Sequence, residues 1–330
     1  MSSSSTPTFI LGTGSYVPEN CVDNSSLSNK VDTSDEWIRS RTGIRERRIA
    51  TDRQSTSDLA LEAAKKALNK AEMDASMIDL VIVATITPDM SFPSTACILQ
   101  DKLRLNKVAC FDLEAACSGF LYALDVADGM LSTGRYHNAL VVGAEKMSSI
   151  LDWNDRTTCV LFGDGAGAAI LSKSGSGPSL LGFQCGADGA NPSLLYQPAG
   201  GSKTPASLES VENREHFLRM NGREIFKFAV RVMEKAVRDL LETHGVSLGQ
   251  VDHVIPHQAN VRIVESLAQR LEIPMDKFFC NLDKYGNTSA ASVPLALDEA
   301  GTSARFKENE LGVLVAFGAG LTWSATLVRF

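Results

Sequence analysis

Leu80-Val81-Ile82-Val83-Ala84 is an unbroken apolar run that follows an amphipathic helical stretch (59–71) and the short link Met77-Ile78-Asp79. The same order returns later in the chain: a helical stretch over 225–241, the link Gln250-Val251-Asp252, then His253-Val254-Ile255-Pro256. Short apolar runs of this kind read as strands buried on both faces. Outward from them, each half passes through a further helix into another strand, 108–113 in one and 278–282 in the other. A small-residue helix start follows, Ala115-Ala116-Cys117-Ser118-Gly119 against Gly286-Asn287-Thr288-Ser289-Ala290. Then come Ala139-Leu140-Val141-Val142-Gly143 and Gly312-Val313-Leu314-Val315-Ala316, and each half closes with a Gly turn and a strand, 163–171 and 318–328. Helix and strand periods alternate throughout, so the sequence predicts two similar α/β halves with their layers packed face to face. The Ser/Gly/Pro-rich stretch 172–178 marks the boundary, giving halves 1–176 and 177–330. The polar stretch 200–215 reads as a surface loop.

Bulk properties narrow the class. With 330 residues, 44% of them hydrophobic, the chain is long enough to bury a substantial core. Residues 1–9 are Ser/Thr-rich with no basic segment leading into an apolar one, so no secretory leader is expected, and no apolar run reaches membrane-spanning length. Seven scattered cysteines without a CxxC pair predict reduced thiols in a cytoplasmic protein, with neither a disulfide framework nor a zinc or other metal site. A net charge of −7 argues against nonspecific nucleic-acid binding.

Two glycine clusters invite a nucleotide reading and fail it. Gly12-Thr13-Gly14 leads into Tyr16-Val17-Pro18 rather than a helix, and Gly163-Asp164-Gly165-Ala166-Gly167 leads into the strand-like Ala168-Ala169-Ile170-Leu171. Both read as turns, the second a hairpin turn, and dinucleotide binding is excluded.

Within the repeat, Cys117 and Asn287 occupy equivalent helix starts, so symmetric packing of the halves brings them together. A thiol at a helix N-terminus sits in positive potential, which favours the thiolate. Small neighbours (Ala115, Ala116, Ser118, Gly119) leave room for a substrate. Position in the repeat, not residue type, separates Cys117 from the other six cysteines, most of which read as small buried hydrophobes. His257 follows Pro256 at the C-terminal end of a strand, where ligands commonly bind in α/β sheets. His137, His216, His244 and His253 lack that context and read as structural. Asn287 alone reads equally as a helix cap or a turn residue. The order Cys, His, Asn also occurs in papain-like proteases, but the sequence around Cys117 lacks their nucleophile motif.

Three motifs together resemble one family: Asp112-Leu113-Glu114-Ala115-Ala116-Cys117-Ser118-Gly119-Phe120, Pro256-His257-Gln258-Ala259-Asn260, and Gly286-Asn287-Thr288-Ser289-Ala290-Ala291-Ser292-Val293-Pro294. With Thr33-Ser34-Asp35-Glu36-Trp37-Ile38 and Arg41-Thr42-Gly43-Ile44, the chain resembles β-ketoacyl-acyl-carrier-protein synthase III over about 11–330. That resemblance implies a duplicated thiolase-like fold, two α/β halves in an α-β-α-β-α architecture.

It also implies a chemistry. Cys117 takes an acyl group from acyl-CoA as a thioester, and malonyl-acyl-carrier protein (malonyl-ACP) then loses CO2 and attacks it. His257 and Asn287 supply hydrogen-bond donors for the charge that decarboxylation builds on the malonyl thioester oxygen. Backbone N–H groups of Cys117 and Ala319 form the oxyanion hole. Ala319 departs from the consecutive glycines common there, which matters only where positive φ is needed. No cofactor is implied, coenzyme A entering as a substrate thioester.

The segment Thr33–Glu36 reads as a capping box and Gly43 as a helix stop, around a short helix carrying Trp37 and Arg41. The resemblance assigns Trp37, Arg41 and Arg156 to the adenine and phosphates of CoA, and Gly222 and Asn260 to the pantetheine arm. Arg223, Lys227, Arg231 and Lys235 recur every four residues on one helix, a spacing usual for a polar face. Of these, Lys227 joins Gln258 and Arg262 as the implied carrier-docking positions. Phe92 matches a residue that reaches the partner's acyl pocket, so a homodimer is implied. Remaining readings are a condensing relative of secondary metabolism and a non-catalytic acyl-CoA or carrier-binding protein. Elongating condensing enzymes pair Cys with two histidines, and Asn287 argues against that branch.

Overall fold

In the computed structural model, which describes residues 6–330, Leu80–Ala84 is a strand buried along its whole length. The expectation of no secretory leader rests on residues 1–9, of which 1–5 lie outside the described residues. The side chains of the Leu80–Ala84 strand alternate between two cores: Leu80, Ile82 and Ala84 face one, Val81 and Val83 the other. The second-half strands divide the same way, with Ile255, Leu314 and Ala316 on one face and Val254, Val313 and Val315 on the other. Period-2 alternation of wholly apolar strands places helices on both faces of each sheet.

Among the described residues, nine strands form one mixed sheet. Its order is His253–Pro256, Leu311–Gly318, Thr322–Arg329, Ser179–Ala187, Thr8–Tyr16, Gly165–Ser172, Asn138–Glu145, Leu80–Ala84, Ala109–Leu113. Counted within the first half the order is third, second, fourth, fifth, first, and the second half repeats it with four strands, lacking the third. Two corrections to the predicted plan arise here. The third strand expected at 278–282 is reduced to a single parallel bridge between Val254 and Phe278. The halves are also joined edge to edge, through Thr8–Leu180 and Phe9–Ser179 pairing of their first strands.

A shared core lies between the half-sheets. It takes side chains from the helices Gly119–Ser132 and Ser292–Thr302 and from the inner strand faces of both halves, including Leu124, Val293, Ile82 and Leu314. Outer helices cover the opposite faces: Thr56–Lys70 on the first half, Gly222–Thr243 and Val261–Leu271 on the second. The result is the layered α-β-α-β-α arrangement.

The glycine clusters are not turns. Gly12 and Gly14 lie inside the Thr8–Tyr16 strand, where a Cβ would meet the carbonyl oxygens of Ala67 and Ala63 at 2.5 and 2.4 Å. They let the outer helix Thr56–Lys70, alanine-rich on its buried face, approach the backbone closely. The cluster at 163–167 opens the strand Gly165–Ser172, which pairs antiparallel with Asn138–Glu145, but the long excursion from Lys146 to Asp164 separates them and no hairpin turn exists.

The helix near Trp37 spans Asp35–Thr42. Ser34, not Thr33, caps it by accepting from Trp37 N, and Gly43 ends it in the left-handed region at φ 84°.

Candidate active site

The strand Ala109–Leu113 delivers the chain into a tight turn at Ala116–Ser118, from which the buried helix Gly119–Ser132 starts. Ala116 holds φ 46°, a conformation non-glycine residues adopt only when surroundings impose it. The second half repeats the device at Ser289–Ala291 before the helix Ser292–Thr302, with Ser289 at φ 50°. Backbone geometry therefore matches Ala116 with Ser289 and Cys117 with Ala290. This corrects the predicted equivalence of Cys117 and Asn287, whose true counterpart is Glu114. The two helix starts do meet as expected: Cys117 Sγ donates to Ser289 Oγ at 3.6 Å.

Three buried polar side chains line one cavity of about 110 Å³: Cys117, His257 and Asn287. His257 follows the strand His253–Pro256 and is fixed by its N–H donating to Val315 O at 2.7 Å. Asn287 is held by its backbone N–H on Leu161 O (2.8 Å) and by its carbonyl accepting from Gly163 N (3.0 Å). Its Oδ1 accepts from Ser289 N at 2.9 Å, which leaves the amide NH2 as a donor for the cavity.

Burial makes this site electrically neutral at rest. It pushes the Cys117 thiol up to about 12, although Ser289 acts in the opposite direction, and it lowers the His257 imidazole to about 3. Desolvation thus opposes the thiolate that the helix N-terminus favours, and the thiol proton must leave as reaction proceeds.

Gly318 lies against the nucleophile turn, where a Cβ would meet Cys117 N at 2.7 Å. The adjoining loop is tied to that turn by Thr322 Oγ1, 2.9 Å from Ala115 O and 3.1 Å from Ala319 O. Ala319 has no positive φ, whereas Gly320 does at 128°. Alanine at 319 therefore carries no backbone strain.

Cys117 also borders a second, larger cavity of about 820 Å³, lined by Thr87, Met90, Leu195, Gly200 and Ala319. Part of the expected surface loop, Gly200 and Gly201, thus walls this cavity together with Ala199. Phe92, two residues beyond Met90, is 84% exposed.

Toward the outer surface, Gly222 and Asn260 line the smaller cavity. Asn260 caps the helix Val261–Leu271 and donates to Arg41 O at 3.1 Å. The guanidinium groups of Arg41 and Arg156 lie 4.6 and 5.3 Å from the Trp37 ring centre, so the three predicted residues cluster next to that cavity's rim. Arg262 and Lys227 are exposed, the first bonded to Ser40 O and the second to Glu224.

Gln258 is a correction. It is 1% exposed, its amide donates to Pro256 O and Phe279 O, and its Oε1 accepts from Asn281 N. With every polar atom spent inside the protein, it buttresses the His257 loop and cannot touch a carrier. Sequence reasoning missed Ser289 and Glu145, the latter a fully buried carboxylate bonded to Ser289. Ser289 sat unassigned within a recognised motif. The one signal for Glu145 was an acidic residue closing an apolar strand.

Comparison with known proteins agrees with this geometry. Residues 111–189 match the family described as 3-Oxoacyl-[acyl-carrier-protein (ACP)] synthase III, and 241–330 match its C-terminal part. The Beta-ketoacyl-[acyl-carrier-protein] synthase III of Caldanaerobacter subterraneus subsp. tengcongensis is 54% identical over 321 residues, 97% of each chain. That of Clostridioides difficile is 49% identical over 97% of this chain and 98% of its own. Among solved structures, the 3-oxoacyl-[acyl-carrier-protein] synthase III of Aquifex aeolicus superposes with a TM-score of 0.90 at 48% identity, covering 98% of this chain and 100% of that one. A priming beta-ketosynthase of a polyketide biosynthetic pathway superposes with a TM-score of 0.89 at 34% identity, covering 98% and 96%. The chain belongs to the 3-oxoacyl-[acyl-carrier-protein] synthase III family and is a condensing acyltransferase of the thiolase fold.

Proposed function

We propose that the chain condenses acetyl-CoA with malonyl-ACP, giving acetoacetyl-ACP, CO2 and coenzyme A, the first condensation of type II fatty-acid synthesis in the cytosol. The observation that carries this reading is the convergence of Cys117, His257 and Asn287 on one cavity, with no charged side chain among its lining residues.

Cys117 Sγ attacks the acetyl carbonyl. The Sγ–C bond forms as the thiol gives up its proton, the C–S bond to coenzyme A breaks, and the coenzyme leaves as a thiolate that takes a proton from solvent. The passing oxyanion faces the backbone N–H groups of Cys117 and Ala319. Malonyl-ACP then enters, its carboxylate C–C bond breaks, and the electron pair moves into an enolate. Neutral His257 and the free amide of Asn287 donate to the enolate oxygen. The enolate carbon attacks the stored acetyl group and Sγ leaves. Neutral donors suit this step, because they stabilise developing charge without holding a permanent cation against a leaving neutral CO2.

Trp37, Arg41 and Arg156 hold the CoA nucleotide, by stacking and charge-assisted bonds to phosphate. Arg262 and Lys227 meet the acidic carrier. The exposed Phe92 docks against a second copy of the chain in a homodimer, since a side chain of that size is costly to leave in water.

Intact-protein mass spectrometry after acetyl-CoA, then malonyl-ACP, tests the reading. One acetyl on Cys117, discharged as acetoacetyl-ACP forms, is the expected result, and no adduct with any acyl-CoA would overturn it. The size of the second cavity favours one alternative, a longer or branched acyl group, which would be read as an adduct of that mass.

A further inference from the structure

Behind the nucleophile runs a directed chain of hydrogen bonds that the condensation steps above leave unused. Cys117 Sγ–H donates to Ser289 Oγ at 3.6 Å, and Ser289 Oγ–H donates to Glu145 Oε1 at 3.0 Å. All three side chains are buried. Glu145 closes the strand Asn138–Glu145 and, among the described residues, is met only by neutral donors: the hydroxyls of Thr85, Thr87 and Ser289 and the N–H groups of Ile86 and Thr87. We infer that Ser289 and Glu145 form a proton relay, in which Glu145 stores the Cys117 proton for as long as the cysteine carries the acyl group. This rests on the condensing reading proposed above.

The cycle balances. In acylation the thiol proton passes to Ser289 Oγ while the Ser289 hydroxyl proton passes to Glu145, and Sγ bonds the acyl carbon. Coenzyme A leaves as its thiolate and takes a proton from solvent. In condensation the malonyl carboxylate departs as CO2, and Sγ is released as a thiolate. Glu145 returns the proton through Ser289, so the thiol and the carboxylate are both restored. Malonyl brings its negative charge while Glu145 is still protonated, and the proton leaves Glu145 only to neutralise the released thiolate, so the buried site holds one negative charge at most.

The surroundings favour this acceptor over His257, whose imidazole burial holds near 3. Burial pushes Glu145 up to about 7, against its five donors, so the carboxyl can exchange a proton near neutrality. Charged and titratable groups facing it are few. Cys117 comes from the nucleophile turn, and Glu114, which acts on Cys117, accepts from Ala116 N. Asp164, beside the Gly165 that pairs with Glu145, is spent on Ala50 N and Ser148. Lys146, the next residue, sends its ammonium to the carbonyls of Thr51 and Gln54.

The test is the rate of single-turnover acetylation against pH for the wild type, Ser289→Ala and Glu145→Gln, with iodoacetamide alkylation of Cys117 followed in parallel by peptide mass spectrometry. Wild-type rates should rise through an inflection near 7. Both variants should be slower by about 10²-fold and lose that inflection. Variants that slow equally at every pH and keep the inflection would show a merely structural role and overturn the relay. So would variants that match the wild type. Alkylation needs no substrate: if acetyl-CoA fails to label the wild type while alkylation keeps its inflection and both variants lose it, the relay stands and the condensing reading falls. Should Glu145→Gln fail to fold, Ser289→Ala carries the same comparison.

Discussion

Asn287 Oδ1 accepts the backbone N–H of Ser289 at 2.9 Å, so one hydrogen bond both aims the Asn287 amide into the cavity and fixes the serine that receives the Cys117 thiol. The two half-reactions share this joint. Separating them needs a substitution that keeps the acceptor and deletes the donor.

Asn287→Asp is that substitution. The carboxylate still accepts from Ser289 N, while no NH2 remains for the enolate. Acetylation of Cys117 should stay within several-fold of wild type, and acetoacetyl-ACP formation should fall by roughly 10²–10³-fold, the usual loss for one such donor. Mass spectrometry of the acyl-enzyme beside product quantitation measures both.

The backbone donors predict a contrast between neighbours. Gly318→Ala places a Cβ 2.7 Å from Cys117 N, and the loop or the nucleophile turn has to move. A loss of about 1–3 kcal/mol of stability is expected, with both half-reactions impaired. Ala319→Gly should change little, because residue 319 has no positive φ to relieve. Thermal unfolding and acetylation rates of the two variants read the difference.

Glu145 and His257 shape stability against pH in opposite senses. Burial raises Glu145 from 4.5 to about 7, so the native state binds the proton more tightly. Its contribution is complete below 4.5 and lost as pH rises through 7, by about 3 kcal/mol at 1.36 kcal/mol per unit. Burial lowers His257 from 6.5 to about 3, so its contribution is complete above 6.5 and lost as pH falls toward 3. In urea titrations at roughly pH 5 and pH 8, the stability deficit of Glu145→Gln relative to wild type should shrink by most of that amount at the higher pH. His257→Gln should flatten the acid side.

Docking of the carrier is predicted to be separable from chemistry. Charge reversal at Arg262 and Lys227 should raise the KM for malonyl-ACP by about tenfold or more and steepen no other step, leaving acetyl-CoA transfer intact. Both side chains are exposed and outside the cavity that holds Cys117. Steady-state assays at two ionic strengths check it, since the wild-type KM alone should rise with salt. Equal loss of both activities would sink the assignment.

Sequence alone determined the layer plan of this protein, because wholly apolar runs such as Leu80–Ala84 and Leu311–Gly318 admit only strands covered on both faces. It also marked Cys117, His257 and Asn287, whose motifs are local. Tertiary structure decided what long-range contact controls. Gln258 looked available beside His257 until its three internal hydrogen bonds were in place. The register of the repeat shifted to Cys117 with Ala290, because the positive-φ residues Ala116 and Ser289, rather than residue likeness, mark the equivalent turns. Glycines that resembled turns proved to be points where a helix touches a strand, a distance no local pattern encodes. The Cys117–Ser289–Glu145 chain joins residues from the nucleophile turn, the second half and the end of a first-half strand. Hydrogen bonding falls off within a few tenths of an ångström, and only the packing of both halves around their shared helices sets distances that fine.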